Sequence, residues 1–307
     1  MTMEVKLLAF DSFGVRSMAT YVETRDVRVL IDPGVALAPR RFGFPPHPLE
    51  LERLETLAAE VSRHAEKAEV LVVTHYHYDH HDLGDRIPLK VWEGKEVYLK
   101  HPTENINPSQ KFERAPLFLK KIEGLPKQVN YADGGEASYG RTLIKFSEAV
   151  PHGANPRLGY IFQVSVDDGD SKLVYTSDVE GPVLQSQTAF ILAEKPTLLI
   201  VDGPMTYMLG YRYTVENLAS ALENLKRIIA ETPVETLILD HHFMRDLNYR
   251  TIASPIYKAA KSRGVKVLSA AEYLGRKVEI LEAVRPELYK QFKPKTRGTK
   301  GERPGLE

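Results

Sequence analysis

The octapeptide Thr74-His75-Tyr76-His77-Tyr78-Asp79-His80-His81 follows directly on the apolar run Val70-Leu71-Val72-Val73. That run is short, apolar and rich in valine, so it reads as a buried strand. His75, His77, Asp79 and His80 then place four metal-ligating side chains within six residues. Such crowding is costly without a cation, because neighbouring imidazoles repel one another once protonated. A divalent metal removes the conflict, since it takes neutral imidazole and ionised carboxylate as ligands. A chain carrying this segment is restricted to folds in which a strand end opens into a cleft and further ligands arrive from elsewhere.

The rest of the chain can supply them. It has 307 residues, 43 % of them apolar, enough for one large domain with a proper core. Residues 1–283 read as a single catalytic domain. Residues 284–307 are rich in Lys, Arg, Pro and Gly and carry no period, so they read as a flexible basic tail. Lys plus Arg number 41, as do Asp plus Glu. That balance makes no electrostatic case for a dedicated nucleic-acid binder, though it leaves room for a local basic patch. With no cysteine in the chain, disulfides, thiolate catalysis and Cys-ligated zinc are excluded, and a cytoplasmic protein is expected. Residues 1–10 alternate like a strand and lack a signal peptide's apolar core. No apolar run approaches the roughly 20 residues that span a bilayer, so no membrane role is expected.

Short strands are expected at Val5–Ala9, Met18–Glu23, Val27–Ile31, Glu96–Lys100, Gln128–Asp133 and Thr142–Phe146. A hairpin is expected from Tyr160–Val166 and Lys172–Tyr175 around the Asp/Gly turn 167–170. Thr197–Val201, Thr236–Leu239 and Val265–Leu268 read as later strands. Leu49–Lys67 has helical spacing of its apolar residues, with charges on the other face. Ser109–Ile122, Thr214–Glu231 (with Thr214 as N-cap) and Thr251–Arg263 also read as helices. Helices entering between strands in this pattern fit stacked layers of helix, sheet, sheet and helix.

Of the ten His residues, seven fall at strand ends or in turns: His75, His77, His80, His81, His152, His241 and His242. Asp79 and Asp178 occupy similar positions. His75 and His77 are two apart, so on extended backbone they point the same way and can bind one ion together. Asp79 and His80 lie on the following turn and face elsewhere, which makes a second ion the natural reading. His152 can complete the first position and either His241 or His242 the second, with Asp178 bridging the two. Counting from the end of the apolar run favours His241, leaving His242 to face a substrate or to donate a hydrogen bond from behind the ligands. His81 receives no role. His47, His64 and His101 have no partner pattern and are expected at the surface or in caps.

His75-x-His77-x-Asp79-His80, followed by His152, Asp178 and a late His, resembles the metallo-β-lactamase superfamily, and most of all its uncharacterised archaeal members. The resemblance implies an α/β fold, a four-layer αβ/βα sandwich with two mixed sheets flanked by helices and the metals at one edge. It also implies that Asp32, in Leu30-Ile31-Asp32-Pro33-Gly34, supports the metal-binding loop from behind the ligands.

These residues lead to a metal-dependent hydrolase. Two divalent ions, zinc foremost and manganese or iron as alternatives, would activate a bridging water or hydroxide. The expected ligands are His75, His77, Asp79, His80, His152, Asp178 and His241. Asp79 and His242 are the groups expected to move protons. A phosphodiester, in a nucleotide or RNA, is the first expectation for substrate. The alternatives are a lactone or thioester of a small metabolite and, outside hydrolysis, a diiron redox or metal-stabilised binding protein. Residues 202–207, starting at Asp202, read as a wall of the substrate site or an ordinary loop, and Tyr207–Tyr213, with three Tyr and Arg212, as a lid over an anionic substrate or as aromatics packed over the helix that follows.

Overall fold

In the computed structural model, which describes residues 3–291, the chain forms two mixed sheets with helices on their outer faces. The first sheet takes its strands in chain order: β1 (Glu4–Phe10), β2 (Met18–Glu23), β3 (Arg28–Ile31), β4 (Val70–Val73), β5 (Glu96–Leu99) and β6 (Gln128–Tyr131). The first three are antiparallel hairpin neighbours, and β3 to β6 run parallel. β7 (Glu136–Tyr139) and β8 (Thr142–Phe146) begin the second sheet. A separate two-stranded ribbon of β9 (Val150–Pro151) and β10 (Tyr160–Ile161) follows. Then come β11 (Val164–Asp167), β12 (Lys172–Tyr175), β13 (Leu198–Asp202), β14 (Thr236–Asp240) and β15 (Lys266–Leu268). Their order is β15-β14-β13-β12-β11-β8-β7, with β12 to β15 parallel.

Alternation along the second-sheet strands shows how the layers are held. Leu173, Tyr175, Ile200 and Ile238 join the core shared with the first sheet. Their neighbours Val174, Leu199, Val201, Leu237 and Leu239 face the other way, into the core under the outer helices. Period-two alternation of wholly apolar strands demands a cover on both faces. The helices α1 (Pro48–Lys67) and α2 (Ala115–Ile122) contribute Leu54, Leu57, Val61 and Phe118 to the first core. The second outer layer is built from α3 (Gln185–Glu194), α4 (Val215–Glu231), α5 (Tyr249–Ile252) and α6 (Ser254–Arg263). From α4, Leu225, Ile228 and Ile229 are buried, each contributing about 1.5–3 kcal/mol relative to exposure. Thr214 caps α4 by accepting from the Asn217 N–H.

Three sequence expectations need correction. The strand expected over 160–166 is broken, because Gln163 turns inward and its amide donates to the Gln187 carbonyl at 2.7 Å. The helix expected over 251–263 is two helices, α5 and α6. Pro255, in the first turn of α6, has no N–H to continue the earlier ladder. The basic tail does not begin at 284. After α7 (Ala270–Tyr273), helix α8 covers Arg285–Gln291 and is docked by a fully buried ion pair. Arg285 Nε and Nη2 each donate to a Glu50 carboxylate oxygen at 2.8 Å, and Nη1 donates to the carbonyls of Ala38 and Phe44. Removing one partner of such a pair costs about 3–5 kcal/mol. The remainder of the expected tail, 292–307, lies outside the described residues. Among the described residues no helix is long and apolar enough to cross a membrane.

Candidate metal centre

The parallel strands of both sheets end on one edge. Asp32 follows β3, the octapeptide follows β4, Asp178 follows β12, Asp202 ends β13, and Asp240 ends β14 with His241 and His242 in the turn after it. Ligands collect at the carboxyl ends of parallel strands because the polypeptide turns there and frees its side chains from the ladder. The turns are sharp. Asp32, Ser177, Glu180 and His241 all have positive φ, between 51° and 59°, a region that non-glycine residues enter at a cost and that collects at functional sites.

Asp178 is the meeting point. Its Oδ2 lies 3.0 Å from His152 Nε2 and 3.6 Å from His75 Nε2. Its Oδ1 lies 2.9 Å from His80 Nε2 and 3.3 Å from His241 Nε2. His75, His77, His152 and Asp178 form one group whose ligand-type atoms lie within 4.8 Å of one another, and Asp79, His80 and His241 form a second. Asp79 Oδ2 is 3.8 Å from His241 Nε2. All seven residues expected as ligands therefore meet. His75 Nε2 is buried without a hydrogen-bond partner, and His80 Nε2 and Asp178 Oδ1, though 2.9 Å apart, are buried outside hydrogen-bond geometry. Buried polar atoms are ordinarily satisfied, so this donor set fits a cation at its centre.

The pKa directions follow the geometry. Burial and the adjacent His80 and His77 push His75 well below its usual value. Burial, then His152, pulls His77 down to about 3. At His80 burial is overcome by Asp178 and Asp32, and its pKa rises well above the usual range. At His241 burial is overcome by Asp178 and Asp11, raising it to about 10. Asp178 is held well below normal, because His80 and His241 outweigh its burial.

A second ring of groups orients the first. Asp32 Oδ2 lies 2.8 Å from His80 Nδ1, while the Asp32 carboxylate accepts from the Thr74 N–H, the Thr74 hydroxyl and the Tyr175 hydroxyl at 2.7–2.8 Å. Asp11 Oδ2 lies 2.7 Å from His241 Nδ1, and its Oδ1 accepts from Arg245 Nε at 2.6 Å. Asp202 does not form a wall. It accepts from the N–H groups of Glu180 and His242 and lies 3.0 Å from His242 Nδ1, fixing that ring. Sequence reasoning missed Asp11, Arg245 and Gln110, whose buried amide lies 3.3 Å from His77 Nε2. A signal for Asp11 existed, since it ends an apolar strand as Asp32 does.

The doubled histidines differ in their partners, although His242 forms a third group of ligand-type atoms within 4.8 Å with Asp178 and His241. His241 faces Asp178 and Asp79, whereas His242 stands beside it, rings 4.5 Å apart, tied to Asp202. His81 is buried against Phe118 and Tyr78, with its nitrogens outside hydrogen-bond geometry, and belongs to neither ligand group. The expected lid divides: Tyr207 lies parallel to His242, Tyr213 is core, and Tyr211 is exposed. His47 caps α1, accepting from the Leu49 N–H, and His101 Nδ1 accepts from the N–H groups of Thr103 and Glu104. His64 is neither surface nor cap: it is buried edge-on against Tyr21.

A family model described as the metallo-β-lactamase superfamily matches residues 13–241, the span from Asp11's neighbourhood to His241. The chain belongs to the metallo-β-lactamase superfamily. Among its relatives are UPF0282 proteins of the archaea Metallosphaera sedula, 50 % identical over 289 residues (94 % of this chain, 93 % of that one), and Sulfolobus acidocaldarius, 49 % identical over the same shares. The metallo-β-lactamase fold protein YhfI from Bacillus subtilis shares the architecture, with a TM-score of 0.51 at 19 % identity over 87 % of this chain and 95 % of that one. So does CmlA, a diiron β-hydroxylase from Streptomyces venezuelae, with a TM-score of 0.50 at 11 % identity over 87 % and 52 %. The αβ/βα sandwich expected of a metallo-β-lactamase superfamily member is the fold observed.

Proposed function

We propose that this chain is a hydrolase that uses two divalent ions, zinc foremost and manganese or iron as alternatives, to cleave a phosphodiester of a nucleotide or RNA. The reading rests on the divided carboxylate of Asp178, whose two oxygens face separate sets of buried imidazoles. His75, His77, His152 and Asp178 would hold one ion, and Asp79, His80, His241 and Asp178 the other. When bound, two such ions bring a shared water's pKa down toward about 7 and offset charge that develops as it attacks.

The chain's own groups do the rest. Asp32 and Asp11 hold the Nδ1 sides of His80 and His241 and so turn their Nε2 atoms toward Asp178. Asp79, at 17 % exposure and 3.8 Å from Arg245 Nη2, is the ionised group placed to take up a proton. His242 has a ring nitrogen within 4.8 Å of ligand-type atoms of Asp178 and His241. Burial, then Arg245 and His241, keep it neutral, so it can relay that proton. On this side Arg16, Arg41 and Arg245 stand with Glu282, Asp11 and Asp79, and guanidinium groups beside the centre suit an anionic ester over a neutral lactone.

Elemental analysis of the purified protein should find about two ions per chain, the stoichiometry of a two-metal site. The zinc-loaded protein should turn over bis-p-nitrophenyl phosphate. Turnover of lactones or thioesters without the diester would remove the substrate class. Protein that stays metal-free after zinc loading would remove the mechanism, and a visible absorption band would identify iron.

A further inference from the structure

The hydrolase reading leaves one largely buried cation only loosely paired. Arg41 sits in a tight turn after the Asp32 loop, where the Arg41 and Phe44 backbones pair and Phe42 and Gly43 both have positive φ, 53° and 82°. Its guanidinium lies 4.6 Å from the ring centre of Phe42 and 4.6 Å from that of Tyr207. The side chain is 18 % exposed, and Nε is buried with no hydrogen-bond partner. The nearest carboxylate, Glu282, lies 3.7 Å from that Nε. Both Glu282 oxygens already accept from Arg16, Nε to Oε2 at 2.6 Å and Nη2 to Oε1 at 2.7 Å. Arg245 is committed to Asp11 at 2.6 Å. Arg245 also lies 3.8 Å from Asp79 Oδ2. Of the three guanidinium groups Arg41 is thus the one whose nearest carboxylate, at 3.7 Å, is already bonded by another. Burial acts most strongly on it and pulls its pKa below the ordinary arginine value, with Glu282 offsetting only part.

Its place matters. Tyr207, which touches Arg41, lies parallel to His242, at 2° with ring centres 6.5 Å apart. His242 in turn stands 4.5 Å from the candidate ligand His241. A guanidinium is a planar fork of five donors that matches a phosphate or a carboxylate. Contact with two rings restrains the guanidinium, and through Tyr207 it stands one ring removed from His242.

We propose that Arg41 seats a second anionic group of the substrate, a phosphate or carboxylate other than the group hydrolysed, with Tyr207 as the positioning residue that fixes the plane of the guanidinium. The substrate class becomes a doubly anionic ester. The inference rests on the hydrolytic reading only for where the reacting group lies.

The test measures binding, not turnover. Full-length zinc-loaded protein is titrated calorimetrically with two ligand pairs, thymidine 5′-monophosphate against thymidine 3′,5′-bisphosphate, and glycerol 3-phosphate against 3-phosphoglycerate. The first pair adds a phosphate and the second turns an alcohol into a carboxylate, so the pair that responds names the anion. In the wild type the doubly anionic member of at least one pair should bind about tenfold tighter or more, as one charged hydrogen-bonded contact provides. Arg41→Gln should bring that ratio near one. Arg41→Lys, which keeps the charge without the fork, should retain part of it and covers the case in which Arg41→Gln does not fold. No preference in either wild-type pair would overturn the proposal, as would an Arg41→Gln loss that falls equally on both members. A preserved preference without any hydrolysis would sink the hydrolase reading and keep the seat. Hydrolysis without the preference would do the reverse.

Discussion

His75 and His77 stand on one side of Asp178 and His80 and His241 on the other, and the two sides are backed by different chemistry. Behind His75 Nδ1 are hydroxyls, Thr74 Oγ1 at 3.3 Å and Ser177 Oγ at 3.4 Å. Behind His80 and His241 are carboxylates at 2.8 and 2.7 Å. The first side is consequently neutral, with burial and neighbouring imidazoles keeping protons off His75 and His77. On the second side carboxylates overcome burial and hold protons on His80 and His241. His152 behaves like the second side, since Asp178 and Glu180 outweigh its burial and lift it to about 10. A cation meets no proton on His75 and His77 and must displace one only at His152, whereas on the other side it must displace protons from both His80 and His241. Once displaced, imidazoles backed by carboxylates are the more basic ligands. The two halves of the centre should therefore fill with different affinities and different pH dependences.

Asp178→Ala gives the largest effect, because that carboxylate serves both sides. Elemental analysis should show both ions lost, and a variant that keeps one would assign the bridge to one side only. Asp32→Ala separates the sides. It should weaken the His80–His241 position by about 10–100-fold while the first position holds, as read by competition with a chromophoric chelator. Equal weakening of both would break the asymmetry.

The pH dependence of the metal-free protein comes next. His152 and His241 are raised to about 10 from an unfolded value of about 6.5. The stability they contribute is fully present below about 6.5 and is lost as pH rises toward 10. Melting temperature without metal should fall across that window, and zinc binding should release protons there, measurable by calorimetry in buffers of different ionisation enthalpy. Release confined to lower pH would contradict the carboxylate backing.

Gly34→Ala acts through the backbone. A Cβ there would overlap the His81 nitrogen and the His80 carbonyl carbon, pushing the Asp32 loop off His80. A stability loss of about 1–3 kcal/mol is expected by denaturant titration. Ser177→Ala should do least. Its 3.4 Å contact with His75 is long, but its hydroxyl also shares a 2.6 Å hydrogen bond with the Thr74 hydroxyl, so about 0.5–1.5 kcal/mol is expected, the range of one ordinary hydrogen bond. A larger loss would mean that the hydroxyls hold His75 as firmly as carboxylates hold its counterparts.

Much of the centre was legible along the chain, residue by residue. Val70–Val73 announced a strand, and the imidazoles after it announced a cation, because both signals are local. The edge strand β7 was missed because Glu136–Tyr139 is polar and only half-buried, so it carries no apolar run. Helix α8 was hidden because its anchor is Arg285, a residue whose sequence context reads as tail and whose partner Glu50 lies 235 positions away. Asp202 read as a wall residue, since nothing in the order of residues says that its carboxylate turns back to His242.

By itself, the sequence determined the kind of chemistry. Apolar tetrads ending in His and Asp dictate both the strands and the ligand types, and these depend only on near neighbours. Tertiary structure decided which group stands behind which. Asp11 reaches His241 across 230 positions, and Asp32 reaches His80 across 48. Those pairings bring His241 to 3.3 Å from Asp178 while tying His242 to Asp202, set the carboxylate-backed His80 and His241 apart from His75 and His77, and leave Arg41 with only a long contact to Glu282. Electrostatic interaction depends on distance in space and on burial, and in this fold both are set by how the two sheets meet at one edge.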